Sequence, residues 1–218
     1  MLGKQKKMIV VCCSVVLAIG CGPKRLAEMK IQDPAQCIDA VEEQGVRLCV
    51  KPIFSGAECE SYYGINILKK GYLPVEVSMA NHTQGSITVP LDSIVLTYHG
   101  KDIPPTLSND VYKDLKASVG GRTAGWGVLF GVVGGVAAYN SAKHRNEALG
   151  SSLHTNNFEG QILEANKELK GVLYFKLPQE VEVYGRPKVK GATLHLNAKG
   201  SSEGVIALSV PLQEPNEK

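Results

Sequence analysis

The chain has 218 residues, of which 44% are hydrophobic and 21% charged, and its formal charge is +3. These values are ordinary for a folded protein, and the length suits one domain. Lys4, Lys6 and Lys7 supply the excess positive charge, so the rest of the chain is close to neutral. A near-neutral chain with dispersed charges lacks the basic surface that nucleic acid binding requires, and we expect no nucleic-acid partner.

The first twenty residues have the three parts of an export signal. Residues 1–7 are basic, residues 8–19 are apolar, and Gly20 precedes Cys21. The apolar run is too short to span ~30 Å of hydrocarbon, which takes roughly 20 helical residues. A basic start, a short apolar run and a small residue at the cut are typical of a signal peptide. We therefore predict that residues 1–20 are removed on export.

Residues 17–21 (LAIGC) resemble the lipobox of bacterial lipoproteins, although Ala18 rather than leucine stands three positions before the cysteine. The resemblance implies that Cys21 is diacylated, becomes the mature N-terminus and holds the protein to membrane lipid. Each buried CH₂ contributes ~0.8 kcal/mol, so two or more acyl chains anchor a protein durably. Gly22 stands where aspartate implies inner-membrane retention in enteric bacteria. The resemblance thus favours the outer membrane, with the domain facing the periplasm or the cell surface.

Three cysteines remain in the mature chain: Cys37, Cys49 and Cys59. In an oxidising compartment an odd number favours one disulfide and one free thiol. The spacing is compatible with Cys37–Cys49 and with Cys49–Cys59. Zinc sites use closer Cys-x₂₋₄-Cys spacing, so we predict no metal site and no cofactor.

Residues 21–45 are predicted to be a polar tether with a short helix over residues 35–41. Asp33-Pro34 precedes that helix, and a proline in the first turn after an aspartate cap is a helix start signal. Residues 46–53 (VRLCVKPI) alternate and predict a first strand. Residues 54–70 are mixed and predict no regular element.

Short alternating runs predict the rest of the fold. Residues 73–80, 87–89 and 94–98 read as strands, followed by a turn over residues 99–102. Three further strands are predicted near the C-terminus, at residues 169–177, 192–197 and 205–212. Strands of this length separated by Gly, Asn and Asp indicate a mainly β fold, an Ig-like antiparallel β-sandwich. The sandwich domain covers residues 46–212, with a helical insert at about 106–165 and a tail at residues 213–218.

Two stretches carry a wider resemblance: YYGINILKKGYLPVEVSMANHT at residues 62–83 and VLYFKLP at residues 172–178. They resemble a group of uncharacterised bacterial lipoproteins with an Ig-like sandwich and a glycine-rich segment between its halves. The group implies the fold and supplies no activity.

Residues 124–139 (AGWGVLFGVVGGVAAY) form a glycine-rich run without a charge. Gly127, Gly131 and Gly135 lie four apart, so on a helix they share one face, as in small-xxx-small packing. We favour a helix that packs with membrane or with other subunits, although at 1.5 Å per residue it spans only ~24 Å. A buried helix of the domain is the second interpretation, and a flexible loop is the third, which the Val, Leu and Phe content argues against.

The segment after that run is predicted to be a polar helix over residues 140–149 with Gly150 as its C-cap, followed by a loop over residues 151–157. The chain holds no phosphate loop, nucleophile elbow or HExxH motif. Its histidines are dispersed without metal-ligand spacing: His82, His99, His144, His154 and His195.

The sequence thus predicts a non-enzymatic envelope lipoprotein that packs with membrane, with further copies of itself or with an envelope protein. An alternative is a periplasmic module that binds a protein or a glycan, with the glycine-rich helix as core. A third alternative is an envelope enzyme, for which the sequence offers no candidate residues.

Overall fold

The computed structural model describes residues 26–116, 140–178, 191–200 and 204–213, with the backbone of residues 182–183 and 186–187. Within these residues the protein is mainly β, with two larger antiparallel sheets and three α-helices. The predicted signal peptide, Cys21 and the glycine-rich residues 124–139 lie outside the described residues.

Strands β1–β12 are, in chain order, Val41–Glu43, Val46–Pro52, Tyr72–Asn81, Ile87–Val89, Ile94–Tyr98, Lys101–Ile103, Gln161–Leu163, Glu168–Lys176, Glu182–Val183, Arg186–Pro187, Thr193–Gly200 and Val205–Pro211. Every predicted strand coincides with one of these strands, and only the ends shift. The predicted ranges are residues 46–53, 73–80, 87–89, 94–98, 169–177, 192–197 and 205–212. Among the strands that the structure describes, β9 and β10 form a two-stranded pair of their own.

The first sheet has the order β1-β2-β3-β8, and all its pairs are antiparallel. A two-residue loop joins β1 to β2, where Gln44 and Gly45 have φ of 49° and 79°. Two successive residues with positive φ make a turn whose twist matches that of the strands it connects. The outer edge of β8 is covered by bridges from Thr106 to Tyr174 and from Asn157 to Val172, which removes an open edge.

Strand β3 is buried along its whole length. Because side chains alternate between the two faces of a sheet, both faces of the first sheet are covered at β3. One face carries Leu73, Val75, Val77 and Met79, and all four are fully buried. The opposite face carries polar groups as well, notably Glu76, and it is the face on which the candidate site lies.

The second sheet has the order β6-β5-β11-β4-β7, with β12 paired to β11. Along β12 buried and exposed residues alternate, so this strand has one face on the core and one in solvent. The β5–β6 hairpin turns at His99 and Gly100, which have φ of 48° and 71°. The predicted turn over residues 99–102 is therefore shorter than expected, because Lys101 and Asp102 belong to β6 and already pair with Tyr98 and Thr97 of β5.

Three α-helices accompany the sheets. Helix α1 (Gly56–Tyr63) begins after Ser55, whose hydroxyl accepts from Glu58 N at 3.3 Å, and ends at Gly64 with φ of 71°. Helix α2 is Ser108–Leu115, and the described part of helix α3 covers residues 140–155. Among the described residues, no helix has the length and apolar character needed to cross a membrane. Buried side chains of both sheets and of all three helices join one hydrophobic cluster.

The predicted helix over residues 35–41 is wrong. The start signal at Asp33 is real, since its carboxylate accepts from Ala35 N at 2.9 Å, but it starts only a 3-10 turn, Pro34–Gln36. Arg47 of β2 donates to the carbonyls of Pro34 and Cys37 at 2.9 and 3.1 Å. These carbonyls are thereby partnered by a side chain, and the chain continues into β1 in place of a helix.

The predicted C-cap at Gly150 is also wrong, because helix α3 continues past it to residue 155. Gly150 lies against the ring of Tyr112 on α2, where an added Cβ would be 3.3 Å from Cε2. The glycine serves close helix packing and not termination. The loop predicted over residues 151–157 is accordingly shorter than expected.

Candidate functional site

Of the residues predicted to carry function, the structure describes only the three cysteines of the mature chain. Cys37 and Cys49 form a disulfide, whereas Cys59 is free and buried. Of the two pairings that the spacing allowed, the structure therefore has the one that ties the N-terminal segment to β2. The lipidation residue Cys21 and the helix-packing residues Gly127, Gly131 and Gly135 lie outside the described residues.

Cys59 lies on α1, where no solvent reaches it. Burial, followed by the charge of Glu58, raises the pKa of the Cys59 thiol to about 12. A thiol with this pKa stays protonated at neutral pH, whereas nucleophilic cysteines are exposed and have a depressed pKa. Cys59 is a packing residue.

The N-terminal segment is attached to the domain from its first described residues onward. Ala27 N donates to the Ser61 carbonyl of α1 at 2.9 Å, and Met29 is 8% exposed. Further along, Lys170 of β8 lies 3.6 Å from Asp33. Residues 26–40, predicted to be part of a tether, thus lie along the surface of α1 and the first sheet.

A group of polar residues lies between α1 and the polar face of the first sheet; we call it the Glu76 cluster. Its members are Lys51, Glu58, Tyr63, Glu76 and Tyr174. The strand register brings them together, since Glu76 on β3 lies opposite Lys51 on β2 and opposite Val172 on β8. Tyr174 lies two residues further along β8, on the same face. Glu58 and Tyr63 come from α1.

Glu76 is the most buried charged group of the cluster, at 2% exposure. Its Oε1 lies 3.4 Å from Lys51 Nζ, while Lys51 also lies 3.7 Å from Glu58 Oε1. Burial raises the pKa of the Glu76 carboxyl, and the Lys51 ammonium offsets only part of that rise. Burial alone would lower the pKa of Lys51, but the carboxylates of Glu76 and Glu58 outweigh it and the pKa is raised. The charge on Lys51 thus favours the ionised form of Glu76, and the charge on Glu76 favours the protonated form of Lys51.

Tyr63 and Tyr174 are both fully buried and meet edge to face, with ring centroids 6.1 Å apart and planes at 69°. This is a favoured arrangement of aromatic rings. Burial raises the pKa of both hydroxyls, and the two hydroxyl groups lie close enough for each to influence the pKa of the other. Even so, among the described residues Tyr63 Oη, Tyr174 Oη and Glu76 Oε2 make no hydrogen bond of acceptable geometry.

A second polar group joins α2 to the edge of the first sheet. Tyr72 Oη donates to Asp114 Oδ2 at 2.9 Å, and Lys176 Nζ donates to the same oxygen at 2.8 Å while lying 4.1 Å from the Tyr72 ring centroid. Hydrogen bonds from Lys176 and Tyr72 lower the pKa of Asp114. Burial, with the Asp114 hydrogen bond, raises the pKa of Tyr72 to about 12. The three side chains hold α2 in place.

Three histidines each lie beside a different side chain. His82 Nδ1 lies 3.8 Å from Glu42, His144 Nδ1 lies 3.4 Å from Glu147, and His195 Nδ1 lies 2.8 Å from Ser209 Oγ. In the part of the chain that the structure describes, no three of the His, Cys, Asp and Glu side chains converge in a way that could hold a metal ion.

The sequence pattern did not predict the Glu76 cluster. The one signal for this cluster in the sequence was Glu76 itself, which stands between apolar residues in the predicted strand at residues 73–80 (LPVEVSMA). Alternation by itself places that glutamate in solvent. Its burial follows from α1, which the sequence pattern did not predict and which covers this face.

No protein-family model matches the sequence, and no curated protein matches it. Three solved structures resemble parts of the fold at low identity. The yjhA protein from Bacillus subtilis is 15% identical, covers 81% of this chain and 98% of its own, and gives a TM-score of 0.39. A protein described as functionally unknown from Listeria monocytogenes EGD-e is 11% identical, with 81% and 82% coverage and a TM-score of 0.39.

The third structure is a target of the Northeast Structural Genomics Consortium. It is 10% identical, covers 80% of this chain and 90% of its own, and gives a TM-score of 0.31. Likenesses of this size assign neither a fold family nor an activity.

Proposed function

We propose that this chain is a non-enzymatic lipoprotein of the cell envelope, anchored by acylation of Cys21. The observation that carries the proposal is the order of features at the N-terminus: three lysines, a short apolar run, a small residue and a cysteine. The domain that follows is proposed to be an Ig-like β-sandwich outside the cytoplasm, on the outer membrane in preference to the inner membrane.

The Cys37–Cys49 disulfide supports export of the domain. Structural disulfides persist in the periplasm and in extracellular space and are rare in the cytosol. The buried state of Cys59 supports the non-enzymatic part of the proposal, because the free thiol of the domain is not an activated nucleophile.

Mass spectrometry of protein purified from its own membranes tests the anchor. We expect a mature chain that starts at Cys21 and carries the mass of at least two acyl chains. Cys21→Ser should abolish that mass, whereas the matched Cys13→Ser, inside the predicted signal peptide, should leave it in place. A chain that retains Met1, or that starts at an unmodified Cys21, would contradict the proposal.

The glycine-rich residues 124–139 are proposed to pack as a helix against membrane or against further subunits. A leucine on the small-residue face should prevent close approach of two helices. We therefore expect Gly131→Leu to change the oligomer size in detergent, while Gly125→Leu, the same change off the Gly127, Gly131 and Gly135 face, should not. An unchanged elution volume for Gly131→Leu would argue that the segment has another role.

A further inference from the structure

The attachment of the N-terminal segment restricts where the membrane can lie. The Ala27–Ser61 backbone bond holds the segment against the C-terminal half of α1, and Met29, two residues further on, is buried in the core. Leu26 lies against the same place, since an added Cβ on Gly64 would be 3.4 Å from Leu26 Cδ2. The chain is therefore fixed to the domain close after Cys21.

This fixed point is close to the proposed anchor in comparison with the size of the domain. A fully extended chain spans at most about 3.5 Å per residue, so Ala27 lies within ~20 Å of Cys21. A globular domain of this length is roughly 40 Å across. A free tether over residues 21–45 would let any side of the domain reach the bilayer, but a tether that ends at Ala27 does not.

We infer that the corner of the domain formed by residues 26–29 and the C-terminal end of α1 faces the bilayer. We call it the α1 corner, and its partner is the phospholipid headgroup layer that carries the anchor. The inference rests on the proposed acylation of Cys21. We therefore expect the second sheet, including the solvent face of β12, to lie farther from that layer.

The side chains at the α1 corner suit contact with a headgroup layer without strong charge attraction. Tyr62 and Ile65 are half-buried and pack at the margin of the core, while Glu60 is exposed. Tyrosine is favoured where an apolar region meets water at a bilayer surface. The exposed Glu60 carries a negative charge, so the α1 corner is not attracted to anionic lipid. The short tether therefore sets the orientation of the domain at the membrane.

Energy transfer to the membrane tests this orientation in the full acylated protein. Ala57→Cys places a donor dye on the exposed side of α1, four residues before Ser61 and so on the same helix face. Ala207→Cys is the matched control on β12, where the exposed Ala207 alternates with buried Ile206 and Leu208. The acceptor is a dye on the headgroups of phosphatidylcholine vesicles that contain the anchored protein.

The native cysteines do not interfere with the labelling. Cys37 and Cys49 are oxidised, Cys59 is buried, and Cys21 carries lipid under the proposal. Labelling the unsubstituted protein with the same dye measures any background reaction of the native cysteines.

We expect severalfold stronger transfer from position 57 than from position 207. A Gly/Ser spacer of about 20 residues inserted after Gly22 adds an r.m.s. reach of ~25 Å, and it should remove most of the difference. Equal or reversed transfer in the acylated protein without the spacer overturns the inference and leaves the anchor intact. Mass spectrometry that finds no acyl chain overturns the proposed function itself, so the two failures are distinguishable.

Discussion

Glu76 and Lys51 lie directly opposite each other on neighbouring strands, and their ion pair joins a carboxylate with a 3%-exposed side chain to an ammonium whose side chain is 48% exposed. The asymmetry matters for stability. When the pair is broken, water can solvate the Lys51 ammonium but cannot reach the Glu76 carboxylate. Substituting Lys51 and substituting Glu76 should therefore change the free energy of unfolding by different amounts.

Lys51→Met should lower the free energy of unfolding by about 2 kcal/mol, because it leaves the buried Glu76 carboxylate without its cation. Urea denaturation at pH 7 measures the change. Lys69, exposed on the 3-10 turn Ile67–Lys70, is the matched control, and Lys69→Met should change stability by less than about 0.5 kcal/mol. Equal effects of the two substitutions would mean that the ion pair does not stabilise the fold.

Glu76→Gln should change how stability depends on pH. Burial raises the pKa of Glu76 above its ordinary value of 4.5, so between 4.5 and the raised pKa the folded state binds the proton more tightly than the unfolded chain. The contribution of Glu76 is fully present below 4.5 and is lost as the pH rises through the folded pKa. The stability of Glu76→Gln relative to the unsubstituted protein should therefore increase from pH 4.5 to pH 7.

Urea denaturation at a series of pH values measures that relative stability. Glu164→Gln, the same substitution at an exposed position, is the matched control. A stability difference for Glu76→Gln that stays constant over the pH range would show that its carboxyl is solvated in the folded state.

Tyr63→Phe should leave the free energy of unfolding unchanged or raise it by up to about 1 kcal/mol, because the lost hydroxyl is buried without a hydrogen bond among the described residues. Tyr72→Phe is the contrasting variant, since that hydroxyl donates to Asp114 at 2.9 Å. It should cost about 1 kcal/mol. Thermal or urea unfolding distinguishes the two, and a loss of stability in Tyr63→Phe would mean that its hydroxyl is hydrogen-bonded in solution.

Gly171→Ala should destabilise the domain by about 3 kcal/mol, because an added Cβ at β8 would lie 2.7 to 2.8 Å from the backbone and Cβ of Phe158. The bridge between Asn157 and Val172 holds the two segments together at this contact. Gly204→Ala is the matched control, since nothing lies within 4 Å of its added Cβ. Melting temperatures of the two variants give the comparison, and similar values would contradict the close packing at Gly171.

Reduction of the Cys37–Cys49 disulfide should lower the free energy of unfolding by ~3 kcal/mol, the size expected for a closed loop of this length. The two residues are 12 positions apart. Unfolding with and without dithiothreitol measures the loss. The double variant Cys37→Ser/Cys49→Ser should be insensitive to dithiothreitol, and an equal response in both proteins would show that the reductant acts elsewhere.

The strands could be read from the chain because their signal is local. Runs such as residues 94–98 and 205–212 alternate with period two, and that period survives whichever partners the strands take. The N-terminal features that predict export are equally local, because that prediction depends on residue order and not on contacts. Helix α1 has no such signal: its buried residues are only Cys59 and Tyr63, and the rest of its sequence is polar or small.

Only the tertiary structure decided how those elements contact one another and which side chains those contacts bury. Gly150 is a termination signal along the chain, but against the Tyr112 ring it is a packing residue. Glu76 belongs in solvent by alternation, yet the placement of α1 buries it beside Lys51. Cys49 had two feasible partners by spacing, and a hydrogen bond at Ala27 turned an expected long tether into a short one. Each of these outcomes depends on which segments, distant in sequence, come into contact. Those contacts set the burial of a side chain, the pairing of a cysteine and the length of a free tether, and residue order alone does not.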